Sequence, residues 1–332
     1  MTILGPRRVH PAEILPWLAV AALPWVAPDH VLLGSQIAIL ALFALSLDLL
    51  VGHAGLVSLG HAAFFGLGAY AAALLALHGW SEPLTGLAAG GLVAGLAAAL
   101  VAPLVVRVHG LAQLMVTLGL GLMLHEAASR ARFLTGGDDG LSGFEPSPVL
   151  GLFPFDLYGF TAYGYALAVL AAGFLFYTRL AASPFGYALR GLKQNPARMA
   201  ALGTDGRRRL IQGFVVAAVL AGIAGALLAQ TTQSVALESL SFHRSAEVLI
   251  VLCLGGTGGR YGGLVGALAY MAARDWLSAL SPHYWTGWIG AAMMLTVLLV
   301  PGGLGGVARR LQGRLPRLNR AAGARIAAGG EP

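Results

Sequence analysis

RLAASPFGYALRGLKQNPARMAALGTDGRRR, residues 179–209, lies between two long apolar runs and decides how the chain is read. It holds seven Arg or Lys residues against the single acid Asp205, a net charge of +6. The surrounding chain of 332 residues is 57% hydrophobic and only 11% charged. Soluble domains carry about 25% charged residues, so with a mean hydropathy of +0.76 the class is a polytopic membrane protein. The basic segment is then a loop held between spans, and such loops stay on the cytoplasmic side. Apolar side chains recur in it with a helical pattern at Tyr187, Leu189, Leu192, Met199 and Leu202. A positive, partly helical loop in the cytoplasm is shaped to be gripped by another component.

The overall charge of +7 does not indicate nucleic acid, because the basic residues are not spread over a soluble face. They gather in 179–209 and in the tail at Arg309, Arg310, Arg314, Arg317, Arg320 and Arg325, the positive-inside pattern. Cys253 stands alone in an apolar run, so no intramolecular disulfide is expected and the thiol reads as buried and inert. The first apolar run lacks a clear small-residue cleavage site and is read as a retained span.

A span needs about 20 apolar residues. Candidates are 12–28, 31–50, 55–78, 84–106, 110–129, 160–178, 209–231, 263–280 and 284–303. The segment 130–158 is net −2, with Arg130 and Arg132 against Asp138, Asp139, Glu145 and Asp156, and belongs outside. Parity then demands an odd number of crossings between Thr231 and the basic tail. The short run 246–254 has to supply one of them, helped by the residues before it. The expectation is an all-α polytopic integral membrane protein of about 10 crossings including short or broken helices. Residues 1–308 form one transmembrane domain, and 309–332 a basic cytoplasmic tail expected to be disordered.

Small-xxx-small pairs at Gly86/Gly90, Gly91/Gly95 and Gly262/Gly266, with Gly222 and Gly225, are contact points at which membrane helices approach closely. Two segments carry more glycine than packing needs. GHAGLVSLGHAAFFGLGAY (52–70) sets His53, Ser58 and His61 among five glycines, and LGGTGGRYGGLVGA (254–267) has five glycines within 255–262. Both read as discontinuous helices of the kind that line transport routes.

Several chemistries are absent. The sole lysine, Lys193, follows no G-x-x-x-x-G pattern, so there is no Walker A loop. His125-Glu126 starts like a zinc-protease helix, but Ser129 stands where the second ligand would be. GLVSLG (55–60) does not have the spacing of a nucleophile elbow. No enzyme is expected. Of the intramembrane charges Asp48, Glu126, Glu247, Arg260, Arg274 and Asp275, most sit near span ends; Asp48 and Glu247 are the exceptions.

Four blocks carry a family resemblance: 52–70, TGGDDGLSG (135–143), SPFGYALRGLKQNPARMAALG (183–203) with the following FVVAAVLAGIAGALLA, and 254–267. In order and spacing they resemble the permease subunits of branched-chain amino acid ABC importers, LivM type, from about residue 50 to 305. That resemblance implies a permease in a bacterial inner membrane, multi-pass, with both termini cytoplasmic. Its implied partners are a second homologous permease, two ABC ATPase subunits and an extracytoplasmic solute-binding protein, besides the lipid bilayer. No cofactor is implied in this chain, since ATP and Mg would be bound by the ATPases. Branched-chain amino acids are the implied cargo; relatives for urea, amides or other small organic solutes share the pattern. An ion-coupled secondary transporter is the rival class.

On this resemblance the translocation path falls at Gly55, Ser58, Gly60 and His61, where freed backbone, a hydroxyl and an imidazole would meet a zwitterion. The other reading of Ser58 and His61 is that they let a helix bend and pack. Coupling to the ATPase falls on Asn195, Pro196, Ala200, Ala201 and Gly203: Asn195 as N-cap, Pro196 at the first helical position and Gly203 in the turn after it. Arg190 and Lys193 are read as solvated positive-inside charges. Gln194 and Asn195 stand where family members often have acids. The loop Gly136, Gly137, Asp138, Asp139, Gly140 reads as a turn-rich outer surface where the binding protein would meet the chain.

Overall fold

A computed structural model describes residues 28–280 apart from 150, 152 and 156–158, with further single positions at 17, 20, 24, 284, 287–291, 294 and 303. Most of the expected spans 12–28 and 284–303, and the tail 309–332, lie outside the described residues.

Helix α1 (Val31–Asp48) is apolar on every face and runs on into a π-helical stretch, Leu49–Ala54. A helix without a polar side belongs in the middle of a bundle, and every residue from Ala38 to Leu50 is buried. After it come α2 (His61–Leu77), α3 (Pro83–Val105), α4 (Leu111–Arg130), α5 (Phe160–Ala182) and α8 (Gly206–Thr232), of which α5 and α8 pack directly on α1. Between α5 and α8 lie the short helices α6 (Pro184–Gln194) and α7 (Pro196–Ala201). Helices α9 (Phe242–Gly255) and α10 (Gly262–Leu280) complete the order. Among the described residues, five helices are long and apolar enough to cross a membrane: Pro28–Ala54, Pro83–Val105, Leu111–Arg130, Phe160–Ala182 and Gly206–Thr232.

Lipid offers no hydrophobic drive between helices, so contact depends on how closely backbones approach. Helices α2, α3 and α8 meet through glycine. A Cβ on Gly68 would fall 2.1 Å from the carbonyl oxygen of Gly222, and one on Gly225 1.8 Å from that of Phe65. The expected pairs on α3 face α8 as well, Gly90 against Ala226 and Gly95 against Val219. In the α9–α10 hairpin a Cβ on Gly266 would lie 2.1 Å from the oxygen of Val251. Helix α4 inverts the soluble pattern: it buries only Gln113, Thr117 and Gly121, spaced by four, and turns Leu111, Met115, Leu122 and Met123 outward.

Helix boundaries depart from the expected spans where the backbone breaks. The span expected over 55–78 begins as helix only at His61, and α1 persists to Ala54. The loop 179–209 is mostly helix, because α5 extends to Ala182 and α8 starts at Gly206. Its apolar pattern divides at Asn195, which Pro196 forces out of the helical region. Leu189 and Leu192 are buried, whereas Tyr187 and Leu202 are exposed. The short run 246–254 belongs to a 14-residue helix, α9. At 1.5 Å per residue that falls short of a hydrocarbon core about 30 Å thick. The stretch before it, with a 3-10 turn at Leu237–Leu240, packs Leu240 against Gly66 of α2. Two short strands, β1 (Leu141–Ser142) and β2 (Ser234–Val235), pair antiparallel with Leu141 opposite Val235. They put the acidic segment and the end of α8 at the same end of the bundle.

The glycine contacts give a direct test. Gly225→Ala should lower the thermal midpoint of the detergent-purified chain by the equivalent of about 1–3 kcal/mol. Gly164→Ala on α5, where a Cβ meets nothing within 4 Å, should leave it unchanged; thermal loss of the monodisperse chromatographic peak measures both.

Candidate functional site

The first Gly-rich segment breaks where its pattern places the break. After the π-helical stretch, Gly55 ends the helix with φ 75°, donating its N–H to Leu50 O. Residues 55–60 are non-helical and α2 starts at His61. Broken backbone among apolar helices needs partners, and α4 supplies them from its polar stripe. Thr117 Oγ1 accepts from Leu59 N at 3.2 Å, and Gln113 Nε2 donates to Val57 O at 3.5 Å. Gly60 lies so close to α4 that a Cβ would sit 2.0 Å from Thr117 O. On the far side Ser245 Oγ of α9 accepts from Ala62 N at 2.9 Å.

His61 is fully buried, its ring stacked on Phe43 with centroids 5.6 Å apart. Nε2 lies 2.9 Å from Ser46 Oγ, whose own proton goes to Phe43 O at 2.6 Å. With that proton engaged, Nε2 is the donor to Ser46 Oγ. Nδ1 and Ser58 Oγ are both buried with no protein partner.

The second Gly-rich segment breaks between Gly255 and Gly262 and comes to the end of α1. Asp48, with 0% exposure, joins the two. Its Oδ1 accepts from Gly258 N at 2.7 Å, and its Oδ2 accepts from the Tyr177 hydroxyl of α5. Gly52 packs beneath: a Cβ there would lie 2.3 Å from Asp48 Oδ1 and 2.6 Å from Gly258 N. His53 turns its ring edge to Tyr177, and its Nδ1 lies 3.5 Å from Asp48 O.

The basic loop reaches the same joint. Lys193 Nζ, from the last turn of α6, donates to Val51 O and Gly52 O, each at 2.9 Å, and its methylene stem covers Gly55. Arg190 donates to Ala181 O at the end of α5 and lies 4.6 Å over the Tyr187 ring. These two cations are not simply solvated, as expected from sequence; each satisfies carbonyls at a helix C-terminus, where positive charge is favoured. Helix α6 is fixed to α8 through Leu189 against Gly213 and Leu192 against Gly206.

Asn195 Oδ1 accepts from Arg198 N at 2.9 Å, the capping bond of α7, with Pro196 in its first turn and Gly203 at φ 80° behind it. Asn195, Pro196, Ala200, Ala201 and Gly203 are all exposed. Of the residues assigned to a path, Gly55 touches the loop through Lys193, Gly60 touches α4, and Ser58 and His61 are buried in the bundle. Tyr177, Gln113, Thr117 and Lys193 were missed as members of the site, and Asp48 stood out as an intramembrane acid but without its partners. The polar stripe 113/117/121 was the available signal for two of them; the others pair across more than a hundred residues of sequence.

Comparison with known proteins places the chain. Residues 31–298 match the family described as "Branched-chain amino acid transport system / permease component". The chain is similar to the high-affinity branched-chain amino acid transport system permease protein LivM of Escherichia coli (strain K12), at 28% identity over 91% of this chain and 79% of that protein. It is equally similar, at 28% identity over the same shares, to the LivM protein of Salmonella typhimurium (strain LT2). No solved structure matches.

Asp48 can be separated from mere apolarity by two variants. Asp48→Leu orphans the Gly258 N–H and the Tyr177 hydroxyl, each at about 1–3 kcal/mol, and should lower the thermal midpoint sharply. Asp48→Asn keeps an acceptor for Gly258 and a partner for Tyr177 and should retain most of it.

Proposed function

The chain belongs to the branched-chain amino acid transport system permease family, and from that premise we propose that it is the non-catalytic membrane half of an ATP-driven importer. The observation that carries this reading is the pairing of an exposed, capped helix with a buried joint. Helix α7 stands free on the surface with Leu202 72% exposed behind it. Helix α6, one residue before, is bonded through Lys193 to the carbonyls that end α1. A push on α7 by a soluble subunit therefore has a short, hydrogen-bonded route to both Gly-rich breaks.

In this reading α7 docks in a cleft of an ABC ATPase subunit, through Asn195, Pro196, Ala200, Ala201 and Gly203. ATP and Mg bind to that subunit. A second, homologous permease closes the path, and a binding protein delivers solute to the face that carries β1 and β2. The chain sits in a bacterial inner membrane with both termini cytoplasmic. The relatives' names support branched-chain amino acids as cargo. The unpartnered Ser58 hydroxyl and His61 Nδ1 support a polar lining of the path beside Gly55 and Gly60, for a solute that needs only weak, transient hydrogen bonds.

Uptake by vesicles carrying this chain, its permease partner, the binding protein and the ATPases should require ATP. Uptake that persists without the ATPases, driven by an ion gradient, would replace this reading with a secondary transporter. Gly203→Val places a β-branched residue at positive φ and should unseat the end of α7. ATPase subunits should then co-purify several-fold less well while the permease still inserts; normal assembly and transport would refute the docking role.

A further inference from the structure

A cavity of about 400 Å³ opens between α1, the segment that follows α8, and helices α9 and α10, within the size range of small-molecule sites. One wall is apolar: Ile39, Leu40 and Phe43 present one face of α1, and Met271 of α10 adds to it. The other wall is ionic. Glu247, only 5% exposed, accepts from Arg244 Nη1 at 2.6 Å and lies 3.6 Å from Arg274 Nη1. One carboxylate thus serves two guanidinium groups in this wall. Arg244 Nε is buried and has no hydrogen-bond partner. The rest of the Arg244 side chain is 24% exposed and lines the cavity. At the rim, on the 3-10 turn, Glu238 is exposed and also lines the cavity.

Guanidinium groups within, a carboxylate at the rim and an aliphatic wall are complementary to the carboxylate, ammonium and side chain of an α-amino acid with an apolar side chain. We propose that this cavity is a transit site for the zwitterionic solute, an inference that rests on the importer reading above. Arg244 receives the carboxylate, with Arg274 sharing the charge of Glu247; Glu238 receives the ammonium; Ile39, Leu40, Phe43 and Met271 receive the side chain. Glu247 holds the two guanidiniums in place and is a positioning residue. None of Gly55, Ser58, Gly60 and His61 lines the cavity, but His61 stacks on the back of Phe43. The wall of the site therefore rests directly on the start of α2.

Protection from modification tests this without the binding protein. In a Cys253→Ser background, Gln36→Cys puts a thiol on the α1 wall of the full chain reconstituted in nanodiscs. A small methanethiosulfonate reagent then reads its accessibility. Leucine at a few times its Kd should slow labelling several-fold; leucinamide, which lacks the carboxylate, should not. Arg244→Gln should abolish the protection. Glu238→Gln, a change at an exposed position, should weaken protection by leucine but leave that by 4-methylpentanoate, which has no ammonium. Equal protection by leucine and leucinamide would overturn the role of Arg244. Absence of protection while the assembled transporter still takes up leucine with ATP would overturn the cavity alone. Protection by urea or acetamide with none by leucine would overturn the amino-acid reading along with it.

Discussion

A carboxylate with no access to solvent governs the centre of this molecule. Burying a polar group without partners is costly, and Asp48 is tolerated at the end of an apolar helix because donors reach both of its oxygens. Those donors come from far apart in the chain: the Tyr177 hydroxyl of α5, and the backbone of Gly258 between α9 and α10. Meeting them requires Gly258 to lie against α1, and that approach leaves no room for a side chain at Gly52. The two Gly-rich segments are neighbours for this reason. Their glycines serve contact with one another and with Asp48 as much as flexibility.

The same logic explains α4. Unwound backbone at 55–60 would be ruinous against lipid, and the helix that covers it carries Gln113, Thr117 and Gly121 inward with its apolar side chains outward. Partners for broken backbone are thus provided by a helix that is otherwise peripheral. Irregular structure and inverted amphipathicity are two sides of one requirement, that every buried N–H and C=O find a partner.

Much of this could be read from the sequence because it depends on local chemistry. The breaks followed from clustered glycines, the start of α7 from Asn195-Pro196, and its end from Gly203. The membrane class followed from composition, and family membership of residues 31–298 agrees with the resemblance seen in four blocks. What could not be read was pairing at a distance. Asp48 and Glu247 stood out as mid-span acids, but nothing local says that one meets Tyr177 and Gly258 while the other meets Arg244 and Arg274. Lys193 misled in the opposite way. Counting charges correctly treats it as one of seven in a basic loop, yet its ammonium is directed at two backbone carbonyls, which charge counting does not see.

Because Lys193 is the chain's sole lysine, the joint carries its own chemical handle. The ammonium is exposed and yet engaged with two carbonyls, and acylation would remove its charge and leave at most one N–H to donate. Apart from the terminal amine no other amine competes, so modification at this one nitrogen acts on the bond between α6 and the end of α1.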